Sequence, residues 1–182
     1  MKPALIFIIS TIAQLYLLVM MLRFWLPWLR ADFRNPIAQG ILRLTSPLVI
    51  PVRRVVPPVG RLDSATVIVA FGLQYLTILV ILTLNGVTAG ILPIAITSLV
   101  DLLLLSLRLF TFAIFIHIIL SWIAPGTYNP ATAFIAMLVE PMLRPLRRYI
   151  PSIGGLDISP IFAIIGLQAV AIFVATLKPI PI

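Results

Sequence analysis

The chain has 182 residues, of which 62% are hydrophobic and 10% are charged, and its formal net charge at pH 7 is +8. Soluble globular domains carry about 25% charged residues. The low charge content and the mean hydropathy of +1.19 therefore exclude a water-soluble globule and indicate an integral membrane protein. The chain has no cysteine, which excludes disulfides, thiolate metal sites and cysteine nucleophiles.

Four apolar stretches are long enough to cross a membrane, which takes about 20 residues. The first is interpreted as a retained helix and not as a signal peptide, because it is too long and no small-residue cleavage site follows. The third begins after the Asn85-Gly86 turn, and we expect Pro93 to separate an interfacial piece from the helix proper. The predicted spans cover residues 4–26, 64–84, 98–122 and 158–177.

The sequence repeats itself without a gap at an offset of 94 positions. Shared hydrophobicity cannot place Pro, Gly, Arg and Asp in one register, so the chain is an internal duplication. The first repeat covers residues 1–84, a linker covers 85–97, and the second repeat covers 98–182. The matched pairs include Asn35/Asn129, Pro36/Pro130, Pro47/Pro141, Pro51/Pro145, Arg53/Arg147, Arg54/Arg148, Gly60/Gly154, Asp63/Asp157 and Gln74/Gln168.

Each repeat therefore contains two spans joined by a basic, proline-rich connection, over residues 35–63 and 129–157. Two spans are an even number, so both repeats enter the membrane in the same direction and form a parallel tandem repeat. The basic residues predict that both connections are cytoplasmic and that both termini lie outside. We expect an all-α integral membrane protein with four transmembrane helices, each pair joined by a proline-rich, basic, interfacial helical hairpin.

The local signals within the two connections match. Asn followed by Pro starts a helix, which we expect over residues 36–46 and 130–140 and which the next prolines end. The apolar and basic stretch that follows is too short to span and is expected to lie in the interface. The residues assigned to these starts, ends, turns and helix caps are Asn35, Pro36, Pro47, Pro51, Gly60, Asp63, Asn129, Pro130, Pro141, Pro145, Gly154, Asp157, Ser159 and Pro160.

Basic residues in the connections are the candidate binding residues, and two interpretations of them stay open. In one, the arginines bind phosphate headgroups and the aspartates cap helices. In the other, Asp63 and Asp157 pair with the arginines and fix a rigid surface that a partner protein recognises. No basic–aromatic module points to nucleic acid as the primary ligand. The candidate lipid- or partner-binding residues are Arg53, Arg54, Arg144, Arg147 and Arg148.

The connections resemble the YggT family, also called YlmG, of small bacterial inner-membrane proteins. The motif consists of an Asn-Pro start, a Glu-Pro stretch that leads to an arginine, and an Asp-x-Ser-Pro that precedes a Leu-Gln helix. The second repeat carries it as Asn129-Pro130, Glu140-Pro141, Pro145-Leu146-Arg147, Asp157-Ile158-Ser159-Pro160 and Leu167-Gln168. The first repeat is looser and lacks the Ser-Pro after Asp63.

The resemblance implies a non-enzymatic accessory protein of the bacterial inner membrane. Relatives are associated with osmotic-stress tolerance and potassium uptake, with division and envelope organisation, and in chloroplasts with cytochrome assembly and nucleoid distribution. No nucleophile motif, phosphate-binding loop or metalloprotease motif is present, and we expect no enzyme activity, metal or cofactor. Anionic lipids and protein partners are the expected ligands, and a homo-oligomer is compatible with the sequence.

Polar residues within the predicted spans leave two interpretations open. Asp101 and Arg108 are two turns apart on one helical face, and Gln14 occupies the position equivalent to Arg108, so a contact between Gln14 and Arg108 is plausible. A structural polar cluster or a small ion-uptake protein using Arg108 and Asp101 would both explain them. The full set of intramembrane polar residues is Gln14, Arg23, Gln74, Asp101, Arg108, His117 and Gln168.

His117 is the only histidine in the chain and occupies the position equivalent to Arg23. We interpret it as a packed, hydrogen-bonded side chain and not as a metal or haem ligand. Haem held by two histidines would require a second chain. We expect Gln74 and Gln168 to donate hydrogen bonds between helices.

Overall fold

The structure is a computed structural model that describes residues 2–123, 126, 129–150 and 157–180. These residues form six α-helices and no β-strand. Each repeat contains two apolar helices with one amphipathic helix between them. The helices are α1 (Lys2–Trp25), α2 (Pro36–Arg53), α3 (Ser64–Asn85), α4 (Ile91–Ile123), α5 (Pro130–Tyr149) and α6 (Ser159–Ala175).

Three helices, α1, α3 and α4, are long and apolar enough to cross a membrane, with 24, 22 and 33 residues. The fourth predicted span corresponds to α6, which is apolar but has 17 residues. The structure thus supports a membrane protein with three helices of spanning length and one shorter apolar helix. The predicted break at Pro93 is wrong, since α4 is continuous from Ile91. Pro93 lies in the first turn, where backbone N–H groups have no helical partner to lose.

The prediction that Pro47 and Pro141 end the short helices is also wrong. Helix α2 continues through Pro47 and Pro51 to Arg53, and α5 continues through its own two internal prolines. In α2, Ala38, Ile41, Thr45 and Val49 are buried at helical spacing across the first proline. Packing of this face outweighs the local cost of proline, because tertiary contacts supply most of a helix's stability.

Within the described residues, each connection contains one amphipathic helix, and no second helix follows α2 before α3, so the predicted helical hairpin is not confirmed. The helix starts agree with the Asn-Pro signals. Asn35 accepts a hydrogen bond from the Ile37 amide at 2.9 Å, and Asn129 accepts from the Ala131 amide at 2.9 Å. The Asn35 side-chain amide also donates to the Pro130 carbonyl at 2.8 Å, so the N-terminal ends of α2 and α5 meet.

The turn predicted at Gly60 lies between α2 and α3. Gly60 has a φ of 61°, and the backbone of Val59 and Leu62 is paired on either side of it. A positive φ favours glycine because no Cβ clashes there. Gly86, with a φ of 71°, ends α3 in the same conformation. Gly154, predicted to form the equivalent turn, lies outside the described residues.

Packing joins the two repeats into one body. One core cluster combines Leu26 after α1 and Ile41 of α2 with Ile114 of α4 and Leu138 of α5. A second cluster packs Leu17 and Met20 of α1 against residues of α3 and α4. Across the same boundary, the indole Nε1 of Trp25 donates to Ser106 Oγ at 3.3 Å. The amphipathic helices therefore pack on the apolar helices of both repeats.

Replacing Pro47 by alanine tests whether α2 runs through this position. Alanine restores a backbone N–H in the helix interior, where proline costs about 3 kcal/mol relative to alanine. We expect Pro47→Ala to raise the free energy of unfolding measured in detergent micelles. The control is Pro36→Ala at the first helical position, which we expect to change stability little. Destabilisation by Pro47→Ala would contradict the continuous helix.

Candidate functional site

A buried arginine near the end of α1 forms the centre of the first repeat. The Arg23 side chain is only 3% exposed and points between α2 and α3. Its Nη1 donates to Thr45 Oγ1 at 2.8 Å, and its Nε donates to Thr66 Oγ1 at 3.1 Å. Nε also lies 3.5 Å from Asp63 Oδ2. The guanidinium is thus neutralised and hydrogen-bonded, as a buried charge requires.

Asp63 receives charged partners from two directions. Its Oδ2 pairs with Arg53 Nη2 at the end of α2 and accepts from Thr66 Oγ1 at 2.7 Å. Asp63 is the N-cap residue of α3, as predicted, but its side chain accepts no hydrogen bond from the α3 backbone. The Asp63 carboxylate instead forms ion pairs with Arg23 and Arg53. We call Arg23, Thr45, Arg53, Asp63 and Thr66 the first clamp.

The pKa of Asp63 is lowered below its ordinary value of 3.8. Burial alone would raise this pKa, but hydrogen bonds from Thr66 and Arg53 and the charges of Arg53 and Arg23 favour the carboxylate and outweigh it. Asp63 is therefore ionised at neutral pH. The first clamp is a cluster of charged and hydroxyl groups that joins α1, α2 and the start of α3.

The second repeat carries a related but more exposed arrangement. Arg147 donates from Nε to Asp157 Oδ2 at 2.7 Å and from Nη1 to Glu140 Oε2 at 2.9 Å. The Arg147 and Asp157 side chains are 37% and 39% exposed, against 7% for Asp63. Asp157 Oδ1 accepts from the Ser159 amide at 2.9 Å and from Ser159 Oγ at 2.6 Å. We call Glu140, Arg147, Asp157 and Ser159 the second clamp.

The contacts of the second clamp lower the pKa of Asp157 and satisfy the first amide of α6. Burial acts against ionisation of Asp157, but the hydrogen bonds from Ser159 and Arg147 lower its pKa below the ordinary value. Through its bond to the Ser159 amide, Asp157 also acts as a cap-type residue for the start of α6. Ser159, predicted as a cap, is instead the first helical residue, and Pro160 follows it in the first turn.

Both aspartates thus pair with the arginine ten positions before them, which is the contact of the second sequence interpretation. The contact divides the five candidate binding arginines into two groups. Arg53 and Arg147 are held by the clamps, whereas the other three form no hydrogen bond or ion pair with a described residue. All three of these are exposed on the ends of α2 and α5: Arg54, Arg144 and Arg148.

His117 lines an open cavity of about 460 Å³ beside the second clamp. Arg147, Asp157, Ser121 and Trp122 are among the other lining residues. The histidine is half-buried, but no hydrogen bond joins it to a described residue. Its predicted packing is therefore seen without the predicted hydrogen bond. Within the described residues, no group of three His, Cys, Asp or Glu side chains is arranged to hold a metal ion.

A second polar group lies between the apolar helices. Asp101 of α4 pairs with Lys178 Nζ at 2.7 Å and accepts from Gln74 Nε2 of α3 at 3.0 Å. Gln74 thus donates between helices as predicted, whereas Gln168 is exposed and bonds to no described residue. The partner of Asp101 is Lys178, a residue that sequence reasoning missed, because it lies after α6 and far away along the chain.

Gln14 and Arg108 line the same polar cavity of about 140 Å³ as these residues. The hydrogen bond considered between Gln14 and Arg108 is not formed, although both residues are described. Sequence reasoning also missed Thr45 and Thr66 in the first clamp. Their equivalents in the second repeat are valine and proline, so the repeat gave no signal for them.

Removing the charge of each aspartate tests the difference between the clamps. Asp63→Asn keeps an accepting oxygen but leaves buried Arg23 without its counter-ion, a loss of about 3–5 kcal/mol for a broken buried pair. The matched control, Asp157→Asn, removes an exposed ion pair, which is worth about 1 kcal/mol or less. Chemical unfolding in detergent micelles measures both. Equal losses would contradict the buried character of the first clamp.

The lowered pKa of Asp63 also predicts a dependence of stability on pH. Because the folded pKa lies below the unfolded value, the contribution is complete above the unfolded pKa and is lost as pH falls through the folded pKa. We expect the thermal midpoint of the wild type to approach that of Asp63→Asn below a pH of about 4. A difference that stays constant from pH 6 to pH 3 would exclude ionised Asp63 as its source.

The comparisons with known proteins agree with the duplicated architecture. A model of the CCB3/YggT family matches residues 3–84 and again residues 96–178. An uncharacterized protein of Pseudomonas aeruginosa is 42% identical over 176 residues, which cover 96% of this chain and 89% of that protein. The YggT protein of Escherichia coli K12 is 36% identical over 170 residues, covering 93% and 88% respectively. No solved structure matches the chain. The chain belongs to the CCB3/YggT family and contains two tandem copies of its repeat.

Proposed function

We propose that this protein is a non-enzymatic accessory protein of the bacterial inner membrane, in which α2 and α5 form a cytoplasmic platform for anionic lipids and protein partners. The observation that carries the proposal is the division of the arginines. One arginine in each connection is used to fix its amphipathic helix to the start of the next apolar helix. The other three of the five candidate binding arginines, Arg54, Arg144 and Arg148, stay exposed near the helix ends.

The clamps support this role because they give the platform a fixed position. Arg53 at the C-terminal end of α2 is held by Asp63 at the start of α3, and Arg147 near the end of α5 is held by Asp157 before α6. An amphipathic helix held parallel to the membrane surface places its cations at headgroup depth. The exposed arginines are then available to phosphate oxygens or to acidic side chains of a partner.

The proposed topology has four spans, with α6 as the fourth. Its 17 residues are at the short end of the spanning range of about 17–25 residues. Four spans place both arginine-bearing connections on one side, which the excess of basic residues makes cytoplasmic, and both termini on the other. Envelope or division organisation, assembly of membrane complexes and osmotic-stress tolerance are the processes in which such a platform would act.

Ion uptake through Arg108 and Asp101 is the alternative, and the contacts of Asp101 do not favour it. A carboxylate that binds a permeant ion must exchange its partners. Asp101 is instead held by Lys178 at 2.7 Å and by Gln74 at 3.0 Å. The polar cavity next to it has a volume of about 140 Å³, which holds a few water molecules.

The platform is tested by measuring how anionic lipid accumulates around the protein. Full-length protein is reconstituted in mixed phosphatidylglycerol and phosphatidylcholine vesicles, and energy transfer to labelled phosphatidylglycerol is recorded. We expect each Arg→Gln change at Arg54, Arg144 or Arg148 to weaken local binding by about 1 kcal/mol, about fivefold. The control is Lys2→Gln at the start of α1, which the proposed topology places on the opposite side of the membrane.

Added salt should weaken the wild-type signal, because exposed charges are screened at high ionic strength. A triple Arg→Gln variant with wild-type lipid accumulation would contradict the platform. Potassium and proton flux in the same vesicles distinguishes the alternative. Flux that requires Arg108 and is unchanged in the triple variant would replace the platform with ion transport.

A further inference from the structure

A layer of polar residues crosses the middle of the helix bundle. Gln14, Gln74, Arg108 and Gln168 each lie within one residue of the midpoint of α1, α3, α4 and α6 respectively. For helices that cross a bilayer, the midpoint is the depth at which water and headgroups are farthest away. Arg108 is the one cation of this layer, and its side chain is exposed at the surface of the bundle.

Arg108 has no counter-ion among the residues that the structure describes. Asp101, the one carboxylate of the neighbouring polar cavity, is paired with Lys178 and Gln74. Arg108 makes no ion pair or hydrogen bond with any residue that the structure describes. An unpaired cation at this depth is costly, and such residues are usually neutralised by a partner.

The Arg108 side chain borders both this polar cavity and an apolar groove of about 460 Å³ between α1, α4 and α5. Leu18 and Leu22 form the α1 wall, one helical turn apart. Phe112 and Ile116 continue from Arg108 along one face of α4 at the same spacing. Phe134, Ile135 and Leu138 of α5 form the third wall. The groove thus follows the helix direction for about two turns, as a site for another helix would.

We propose that this groove binds a transmembrane helix of a partner protein, and that an Asp or Glu in the middle of that helix pairs with Arg108. The apolar walls would receive the helix surface, and the carboxylate would neutralise the guanidinium of Arg108. The inference goes beyond the proposed function, because the surface lies within the membrane and not on α2 and α5. Its test is therefore independent of the lipid measurement.

Charge complementarity selects this occupant over two others. A lipid acyl chain would fill the apolar walls but would leave the guanidinium unpaired. A second copy of this chain offers five acidic residues, of which Asp101 is the only one within an apolar helix, and Lys178 already pairs with it. A partner helix with its own central carboxylate supplies both the apolar surface and the missing negative charge.

The experiment uses full-length protein co-reconstituted in vesicles with labelled single-span peptides. Three leucine-rich peptides differ at the central residue, which is Glu, Gln or Leu, and energy transfer to labelled protein measures their binding. We expect the Glu peptide to bind the wild type at least about tenfold more tightly than the Gln and Leu peptides. Equal binding of the three peptides to the wild type would overturn the proposal without any variant.

Variants locate the contact. Arg108→Gln should abolish the preference for Glu, Arg108→Lys should retain most of it, and Arg108→Glu should transfer the preference to a peptide with a central Lys. The matched control is Arg108→Gln with Gln168→Arg, which moves the cation to the midpoint of α6, away from the groove. Full recovery of Glu binding in this control would show pairing with any membrane arginine and would overturn the groove assignment.

Self-association is measured in the same vesicles with two labels on the protein. Energy transfer between copies that disappears in Arg108→Gln would place a second copy in the groove and would also overturn the proposal. Absence of such transfer, together with the Glu preference, supports the partner helix.

Discussion

The need to neutralise a buried arginine determines the arrangement of the first repeat. Arg23 belongs to α1, but its partners come from α2 and from the start of α3, so the three elements must meet at one point. A charge removed from water is tolerated only when it is paired and hydrogen-bonded. The hydrogen bonds and the ion pair that neutralise Arg23 therefore also hold α2 against α1 and α3.

The second repeat has the same order of helices as the first, but different side chains occupy the positions of the first clamp. His117 replaces Arg23, Val139 replaces Thr45, and Pro160 replaces Thr66, which removes the buried cation and the hydroxyl groups of these two threonines. Arg147 then binds two carboxylates at the surface, and a cavity of about 460 Å³ remains next to His117. Two copies of one sequence pattern thus produce one buried and one exposed ion cluster.

Much of this architecture could be predicted from the sequence, because long apolar stretches and an ungapped repeat depend on local patterns. The effect of Pro47 could not, since the cost of proline is local whereas the buried face that outweighs it depends on packing against other helices. The pairing of Asp63 with Arg53 followed from a fixed spacing that both repeats share. The pair of Asp101 and Lys178 had no such signal, because the two residues meet only after α4 and α6 have packed.

The unequal lengths of α4 and α6 have a consequence for the surrounding bilayer. Helix α4 has 33 residues and is about 50 Å long, whereas its neighbour α6 has 17 residues and is about 25 Å long. For helices that both cross a hydrocarbon layer of about 30 Å, the long one must tilt or project and the short one must draw the lipids inward. The protein would then impose a thickness gradient on its lipid shell and would favour thin or deformable regions of membrane.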